Sequence, residues 1–281
     1  RKENFVIQGT ILAAAGIIVR LIGILYRVPM TNIIGDEGMG YYSTAFNVYN
    51  IMLILSSYSL PLAVSKMVAA RLAKGQYRNM NRVLRAALVY ATVVGGLACF
   101  ITWNFAGFFA TTLFNTPFCV YALRTLAPTI WIMAYLGVLR GYFQGLQLMT
   151  PTAVSQILEQ VVRVVTMIAF AVILLPYGLE FGAAGATLGA APGAFMGIVV
   201  LIGFYYMTRS WRKELAAEQD PSIKPQSALF IIKRLLILAI PVSLANIMLP
   251  IVSNIDLFIV PRRLEVAGFA VEEATTLFGY L

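Results

Sequence analysis

Apolar and polar positions alternate along this chain in long blocks. The apolar blocks fall at 5–28, 41–70, 83–113, 119–146, 151–177, 183–208 and 229–260, and residues 270–281 have the character of an eighth one beginning. Each holds the roughly 20 residues that a hydrocarbon core about 30 Å thick demands, and the longer ones leave room for tilt. A spanning β-barrel would instead show segments of about ten residues with period-two polarity. The pattern predicts an all-α polytopic membrane protein. Turn-like strings, "TTLFNTPF" and "PYGLEFGA", separate the blocks near 110–119 and 176–183, where Pro117, Pro176 and Gly178 punctuate the chain. The chain opens without Met and stops after "LFGYL", so a longer parent protein is expected. The first block is too long for a signal-peptide core and contains Arg20.

Composition strengthens this reading. Mean hydropathy is +0.81, and 12% charged residues against 60% hydrophobic ones lies far from the roughly 25% charge of soluble domains. The net charge of +9 is a matter of topology. Arg1 and Lys2 precede the first block; Lys66, Arg71, Lys74, Arg78, Arg82 and Arg85 surround the second connection; Arg140 lies near the fourth; Arg209, Arg212, Lys213, Lys224, Lys233 and Arg234 surround the sixth. The first and fifth connections, at 31–40 and 176–183, carry Asp36, Glu37 and Glu180 without a Lys or Arg. The positive-inside rule then puts the N-terminus and the even-numbered connections in the cytoplasm, and leaves no call for a nucleic-acid partner. The chain has no His, no P-loop, no Rossmann fingerprint and no zinc-ligand spacing; Cys99 and Cys119 sit alone in apolar sequence. No cofactor is expected, nor is enzymatic chemistry.

Charges inside the blocks carry the functional signal, since a lone Arg at the centre of a spanning helix costs at least ~2.5 kcal/mol and needs a partner or a wet cavity. In "AVSQILEQVVRVVTMIAF" (153–170), Glu159 and Arg163 are four apart, on one face, with Gln156 and Gln160 continuing the stripe. Two readings stand: an internal Glu159–Arg163 salt bridge that fixes packing, or a seam lining a transport cavity in which Arg163 meets an anion. Arg20 and Arg27 are seven apart with Gly23 between, spaced to clamp a phosphate, although Arg27 beside Pro29 equally suits an interfacial anchor. Lys66 fits either the cavity or a positive-inside anchor. Arg124, at the outer side of the fourth block, is a further candidate contact. Glu159 and Asp256 are candidates for coupling to H⁺ or Na⁺, the alternative drive being the membrane potential. Pro61, Pro128, Pro192, Pro241 and Pro250 fall in or near the blocks, and "FGAAGATLGAAPGAFMG" (181–197) offers a smooth packing surface.

The sixth connection, "TRSWRKELAAEQDPSIKPQSALFIIKRL", is the longest polar stretch. It suggests a six-helix lobe over 1–208, a cytoplasmic amphipathic linker over 209–228 touching anionic lipid, and the start of a second lobe over 229–281.

"RLIGILYRVPMTNIIGDEGMGYY" (20–42), "SLPLAVSKMVA" (59–69), "LRGYFQGLQLMTPTAVSQILEQVVR" (139–163) and "LAIPVSLANIMLPIVSNIDLFIVPRRL" (238–264) resemble the polysaccharide-transporter branch of the multidrug/oligosaccharidyl-lipid/polysaccharide exporter superfamily, which includes lipid II flippases. The resemblance covers essentially the whole chain. It implies the first six-helix lobe of a two-lobe exporter, plus the start of the second. It also implies a monomeric, alternating-access flippase carrying an undecaprenyl-pyrophosphate-linked sugar from the inner to the outer leaflet. Arg20 and Gly23 match the first-helix pattern of those flippases; Arg27 falls one position beyond its second Arg, about 100° round the helix. The alternatives are a multidrug exporter of the same superfamily, whose cavity would be acidic, and a membrane enzyme acting on polyprenyl-linked glycans, which would need Asp or His clusters in its loops. The loop acids Glu214, Glu218 and Asp220 are dispersed on a Lys-containing linker.

The charge alternation predicts Lys74 and Lys213 inside and Asp36 and Glu180 outside. Single cysteines at these positions in a Cys-free background, probed with an impermeant maleimide, should be labelled in intact cells only at 36 and 180.

Overall fold

The computed structural model describes residues 5–113 and 117–266, with side chains described at 7–112 and 117–248. Among the described residues every regular element is helical. Seven stretches are long and apolar enough to cross a membrane: Ile7–Leu25, Arg27–Ala73, Tyr77–Asn104, Pro117–Gly145, Thr150–Tyr177, Leu179–Met207 and Ala228–Met248. The chain is thus a multi-pass membrane protein.

The first helix, α1 (Phe5–Leu25), is followed after Tyr26 by α2 (Arg27–Ser56) and α3 (Leu60–Ala73). The 31–40 segment, expected as an outer connection, contains a break within α2 and is helical on either side of it. The break is at Gly35, whose φ of 67° and ψ of 178° suit a residue without Cβ. The stretch Arg27–Ala73 has 47 residues. As one straight helix it would be ~70 Å long, more than twice the hydrocarbon core, so the break at Gly35 and the turn at Ser57–Ser59 divide it. Next come α4 (Tyr77–Asn104), the short α5 (Ala106–Phe108) and a π turn at Phe109–Leu113. The predicted third block therefore ends as a helix at Asn104 and continues as a cap. The bundle is completed by α6 (Val120–Gly145), α7 (Thr150–Leu174), α8 (Leu179–Leu188) and α9 (Ala190–Met207).

The hub is α6, which touches α2, α3, α4, α7, α8 and α9. Its Tyr142, Phe143, Leu126 and Ile130 are completely buried. In lipid, apolar side chains gain little by meeting one another, so helices approach through small residues. Gly137, Gly141 and Gly145 of α6, spaced by four, lie under α3: a Cβ on Gly141 would sit 2.6 Å from the Pro61 carbonyl oxygen, and one on Gly145 would sit 2.6 Å from Val68 Cβ.

Beyond α9 the chain turns into α10 (Arg209–Ala217), a strap at 218–227, and α11 (Ala228–Val266). The strap is pinned to the α3–α4 corner. Arg71 donates from Nε to Gln226 Oε1 at 3.1 Å, and from Nη1 to the Met67 carbonyl at 2.8 Å. The Arg78 backbone N–H donates to Gln219 Oε1 at 2.6 Å, and the Gln226 N–H to Asn79 Oδ1 at 3.1 Å. Within the strap the Ser222 N–H donates to Asp220 Oδ1 at 2.8 Å, which holds the Asp220 carboxyl below the usual carboxylate range. α11 lies against α2, α3 and α4, and its Ser243 Oγ donates to Ser59 Oγ at 3.0 Å.

Gly141→Ala should destabilise the bundle by about 1–3 kcal/mol, because the new methyl meets Pro61 backbone that cannot rotate away. Thermal unfolding of the detergent-purified variant checks this against Gly203→Ala, whose position is open and should lose nothing.

Candidate functional site

The polar side chains of α7 face different neighbours. Ser155, Glu159 and Thr166 look toward α6 and α9: Thr166 Oγ1 donates to the Gly189 carbonyl at 3.0 Å, and Ser155 and Glu159 both bind Arg140 of α6. Arg140 Nη2 donates to Glu159 Oε2 at 2.6 Å, and its Nε donates to Ser155 Oγ at 3.0 Å. Gln160 and Arg163 look toward α1 and α2. A Cβ on Gly23 of α1 would lie 3.6 Å from Gln160 Nε2, so α1 crosses α7 at that amide.

Of the two readings of the seam, the internal Glu159–Arg163 bridge does not form; Glu159 pairs with Arg140, the only ion pair among the described residues. The reason is tertiary. Arg140 finds two acceptors one turn apart on α7, which satisfies two of its donors from one direction. Arg163 is drawn instead over the aromatic stripe of α2, with Cζ 4.8 Å from the Phe46 ring centroid. Phe46 stacks on Tyr42 at 5.4 Å and meets Tyr49 at 5.1 Å; Tyr26, Tyr42, Tyr49 and, more weakly, Glu159 are the ionisable neighbours of the guanidinium. Its Nε is buried and has no hydrogen-bond partner. A Cβ on Gly193 of α9 would sit 2.7 Å from Arg163 Cβ and 2.8 Å from the Glu159 carbonyl oxygen, so the back of this residue is pressed against bare helix.

Magnitudes decide what this arrangement favours. A cation–π contact contributes roughly 0.5–2 kcal/mol, whereas taking a cation out of water costs several kcal/mol. Three charges, Arg140, Glu159 and Arg163, leave one surplus positive charge within the bundle. It is best compensated by an anion that brings its own acceptors.

The remaining sequence candidates are more dispersed. Arg20 is exposed on α1, one turn before Gly23, and Arg27 is exposed at the start of α2, beyond the helix break at Tyr26, so the two stand on successive helices. Lys66 on α3 and Arg124 near the start of α6 are both exposed. Asp256 belongs to α11, but its side chain lies outside the described residues. The seam thus gathers Glu159, Gln160 and Arg163, and Arg20 lies on α1 three residues before the Gly23 crossing. Arg140, Tyr42, Phe46 and Tyr49 belong to it and were not singled out from the sequence. The spacing 42, 46, 49 in "YYSTAFNVY" was the available signal, a helical aromatic stripe in an otherwise aliphatic block. Among the described residues no three Cys, Asp or Glu come together to hold a metal ion.

Comparison with known proteins gives a consistent set of matches. The polysaccharide biosynthesis protein family matches residues 6–268. Stage V sporulation protein B of Bacillus subtilis (strain 168) is 32% identical over 286 residues, which is all of this chain and 53% of that protein. The lipid II flippase MurJ of the same organism is 29% identical over 265 residues, 89% of this chain and 48% of that one. This chain therefore spans about half the length of these relatives. Among solved structures, an outward-facing multidrug resistance transporter of the MATE family within the MOP superfamily has a TM-score of 0.66 at 14% identity, over 92% of this chain and 56% of its own. A MOP superfamily transporter from Pyrococcus furiosus, described for the reverse polarity of its binding pocket, has a TM-score of 0.62 at 15% identity, over 90% and 54%. The fold is shared with both.

The partner exchange at Glu159 is testable. Glu159→Gln should cost about 1–3 kcal/mol, less than the 3–5 kcal/mol of a fully buried pair, since the two side chains keep 12% and 13% exposure. The double variant Arg140→Glu with Glu159→Arg should recover most of that melting temperature. Exchanging Glu159 with Arg163 should not, because Arg140 would then face a cation.

Proposed function

Because this chain belongs to the polysaccharide biosynthesis protein family, we propose that it forms one lobe of a flippase that moves an undecaprenyl-pyrophosphate-linked sugar across the membrane by alternating access. The observation that carries this reading is Arg163, a bundle cation whose nearest carboxylate is occupied by Arg140. A guanidinium fork matches pyrophosphate oxygens, and such a ligand supplies an acceptor for the Nε that is left unpaired. Gln160 stands one turn nearer the basic end and offers an amide to the same headgroup. Arg20, three residues before Gly23 on α1, adds a second guanidinium, and the exposed Arg27, Lys66 and Arg124 mark charge along the path. The polyprenyl tail stays in lipid between helices, because drawing it through water would cost about 0.8 kcal/mol per CH₂. No bond is made or broken. The turn at Lys74 and the α10 helix holding Lys213 are read as cytoplasmic, and the protein as a monomer.

Glu159 gives the cycle a means of coupling. Protonating its carboxyl would release Arg140 and add a second free cation to the seam; deprotonation would recapture it. The coupling ion in this reading is H⁺, with Asp256 the other carboxylate available to it. An exporter of amphipathic cations would need the opposite balance, an unpaired carboxylate rather than an unpaired Arg.

The test is leaflet exchange in liposomes holding the full-length protein, with labelled lipid II in one set and another undecaprenyl-pyrophosphate glycan in the other. Arg163→Ala should lower exchange about tenfold or more at normal abundance, the loss of one charged hydrogen bond, and Arg163→Lys should restore part of it. Undiminished exchange in a stable Arg163→Ala protein, or transport of an amphipathic cation in place of either lipid, overturns the reading.

A further inference from the structure

A second group of cations lies apart from the α7 seam, where α9 passes into α10. A cavity of about 210 Å³ opens there, lined by Asn81 of α4, Tyr205 and Tyr206 of α9, and Arg209, Arg212 and Lys213 of α10. No carboxylate lines it, and among the described residues none of these cations has an acid partner.

Arg212 is what distinguishes this cavity from an ordinary basic surface. It is only 7% exposed. Its guanidinium lies over the Tyr205 ring, with Cζ 3.5 Å from the centroid, and Nη2 donates to the Tyr205 carbonyl at 2.5 Å. Its Nε is buried without a partner. The wall behind it is fixed: Tyr142 donates to Asn81 Oδ1 at 2.9 Å and lies 6.2 Å from Tyr205, ring centre to ring centre. A buried cation held rigidly by stacking, with a donor unused, and flanked by two exposed cations, suits a compact anion with several acceptor oxygens.

The surroundings identify the source of that anion. The cavity stands at the end of the α9 span, and the surface leading away from it is apolar and exposed: Ile202 is 42% exposed, Tyr206 66% and Met207 79%. Trp211, 39% exposed, is the type of side chain that settles at the headgroup level. A phosphodiester in the cavity would place its acyl chains along α9.

We propose that this cavity binds the phosphate of an anionic phospholipid, anchoring α10 and the start of the strap to the membrane surface. Bound lipid would hold α10 against α9 and α4, and through Gln219 and Gln226 would hold the strap on the α3–α4 corner.

The experiment uses the full-length protein in phosphatidylcholine nanodiscs containing a photoactivatable phosphatidylglycerol, with labelled peptides mapped by mass spectrometry. Labelling should concentrate on peptides carrying 202–216. Unlabelled phosphatidylglycerol should compete, and phosphatidylcholine and inorganic phosphate should not. Arg209→Gln and Lys213→Gln should each weaken competition by about fivefold, the share expected of one basic residue at an anionic surface, and Lys213→Arg should restore it. Arg212→Gln should weaken it further; because Arg212 also holds Tyr205, the Arg209→Gln with Lys213→Gln double variant decides the matter if that protein does not fold. Labelling spread over the bundle, equal competition by phosphatidylcholine, or unchanged labelling in the double variant overturns the site. Displacement by inorganic phosphate as readily as by the lipid overturns the assignment to phospholipid.

Discussion

Helices in a bilayer draw no advantage from hiding apolar side chains from lipid, so a bundle there holds where backbones come close enough for dispersion to accumulate across the contact. In this chain that closeness rests on two glycine series with a spacing of four. Gly137, Gly141 and Gly145 bring α6 against α3. Gly185, Gly189 and Gly193 bring α8 and α9 against α7, meeting in turn Phe170, Met167 and Arg163, while Gly197 meets Leu136 of α6. The second series determines where the polar residues of α7 stand. With α9 occupying the back of Glu159 and Arg163, the side chains are turned forward, Glu159 to α6 and Arg163 to α2. A methyl at position 193 would push α9 away from both at once. The chemistry of the seam is therefore a consequence of packing.

The choice of partner for Glu159 moves a charge from one end of the bundle to its middle. Had Glu159 paired with Arg163, the surplus cation would have been Arg140, five residues before the C-terminal end of α6 at Gly145. Pairing with Arg140 instead leaves the surplus on Arg163, one turn deeper along α7 and enclosed by Tyr42, Phe46 and Tyr49. The rings stabilise a cation by their faces without neutralising it. Glu159 lies one turn away on α7 with its carboxylate engaged by Arg140, so Arg163 has no ion pair of its own.

The sequence made the fold class and nearly all the spans legible, because a run of about 20 apolar residues has few other uses. The first connection, expected over 31–40, coincides with the break at Gly35, but the polar residues of "NIIGDEGMGYY" on either side of it are helical and form no loop. Polarity alone does not separate a helix outside the membrane from a turn. In the seam, Glu159 and Arg163 were legible as intramembrane charges, but their partners were not. The i,i+4 rule describes an isolated helix, and Arg140, nineteen residues before Glu159, competes only once α6 and α7 are packed. The strap was legible as a polar connection; its attachment was not, because it depends on the neutral side chains Asn79, Gln219 and Gln226, which carry no charge signal.

That attachment constrains how any rearrangement could proceed. The strap and α11 are tied to the bundle at two levels, through Gln226 of the strap to Arg71 and through Ser243 of α11 to Ser59. Ser59 belongs to the turn that separates α2 from α3, where Ser56 also returns its hydroxyl to the Met52 carbonyl at 2.7 Å. A helix interrupted at such a turn bends more readily there than in its regular segments. The segment of α2 preceding the turn carries Tyr49, Phe46 and Tyr42, the rings that cover Arg163. If α11 shifts, it must either break the Ser243–Ser59 bond or move the turn with it, and in the second case the rings move relative to a guanidinium that Gly193 and α9 hold in place. The rings over Arg163 are thus linked through Ser59 to α11, and Arg163 itself is backed by α9 at Gly193.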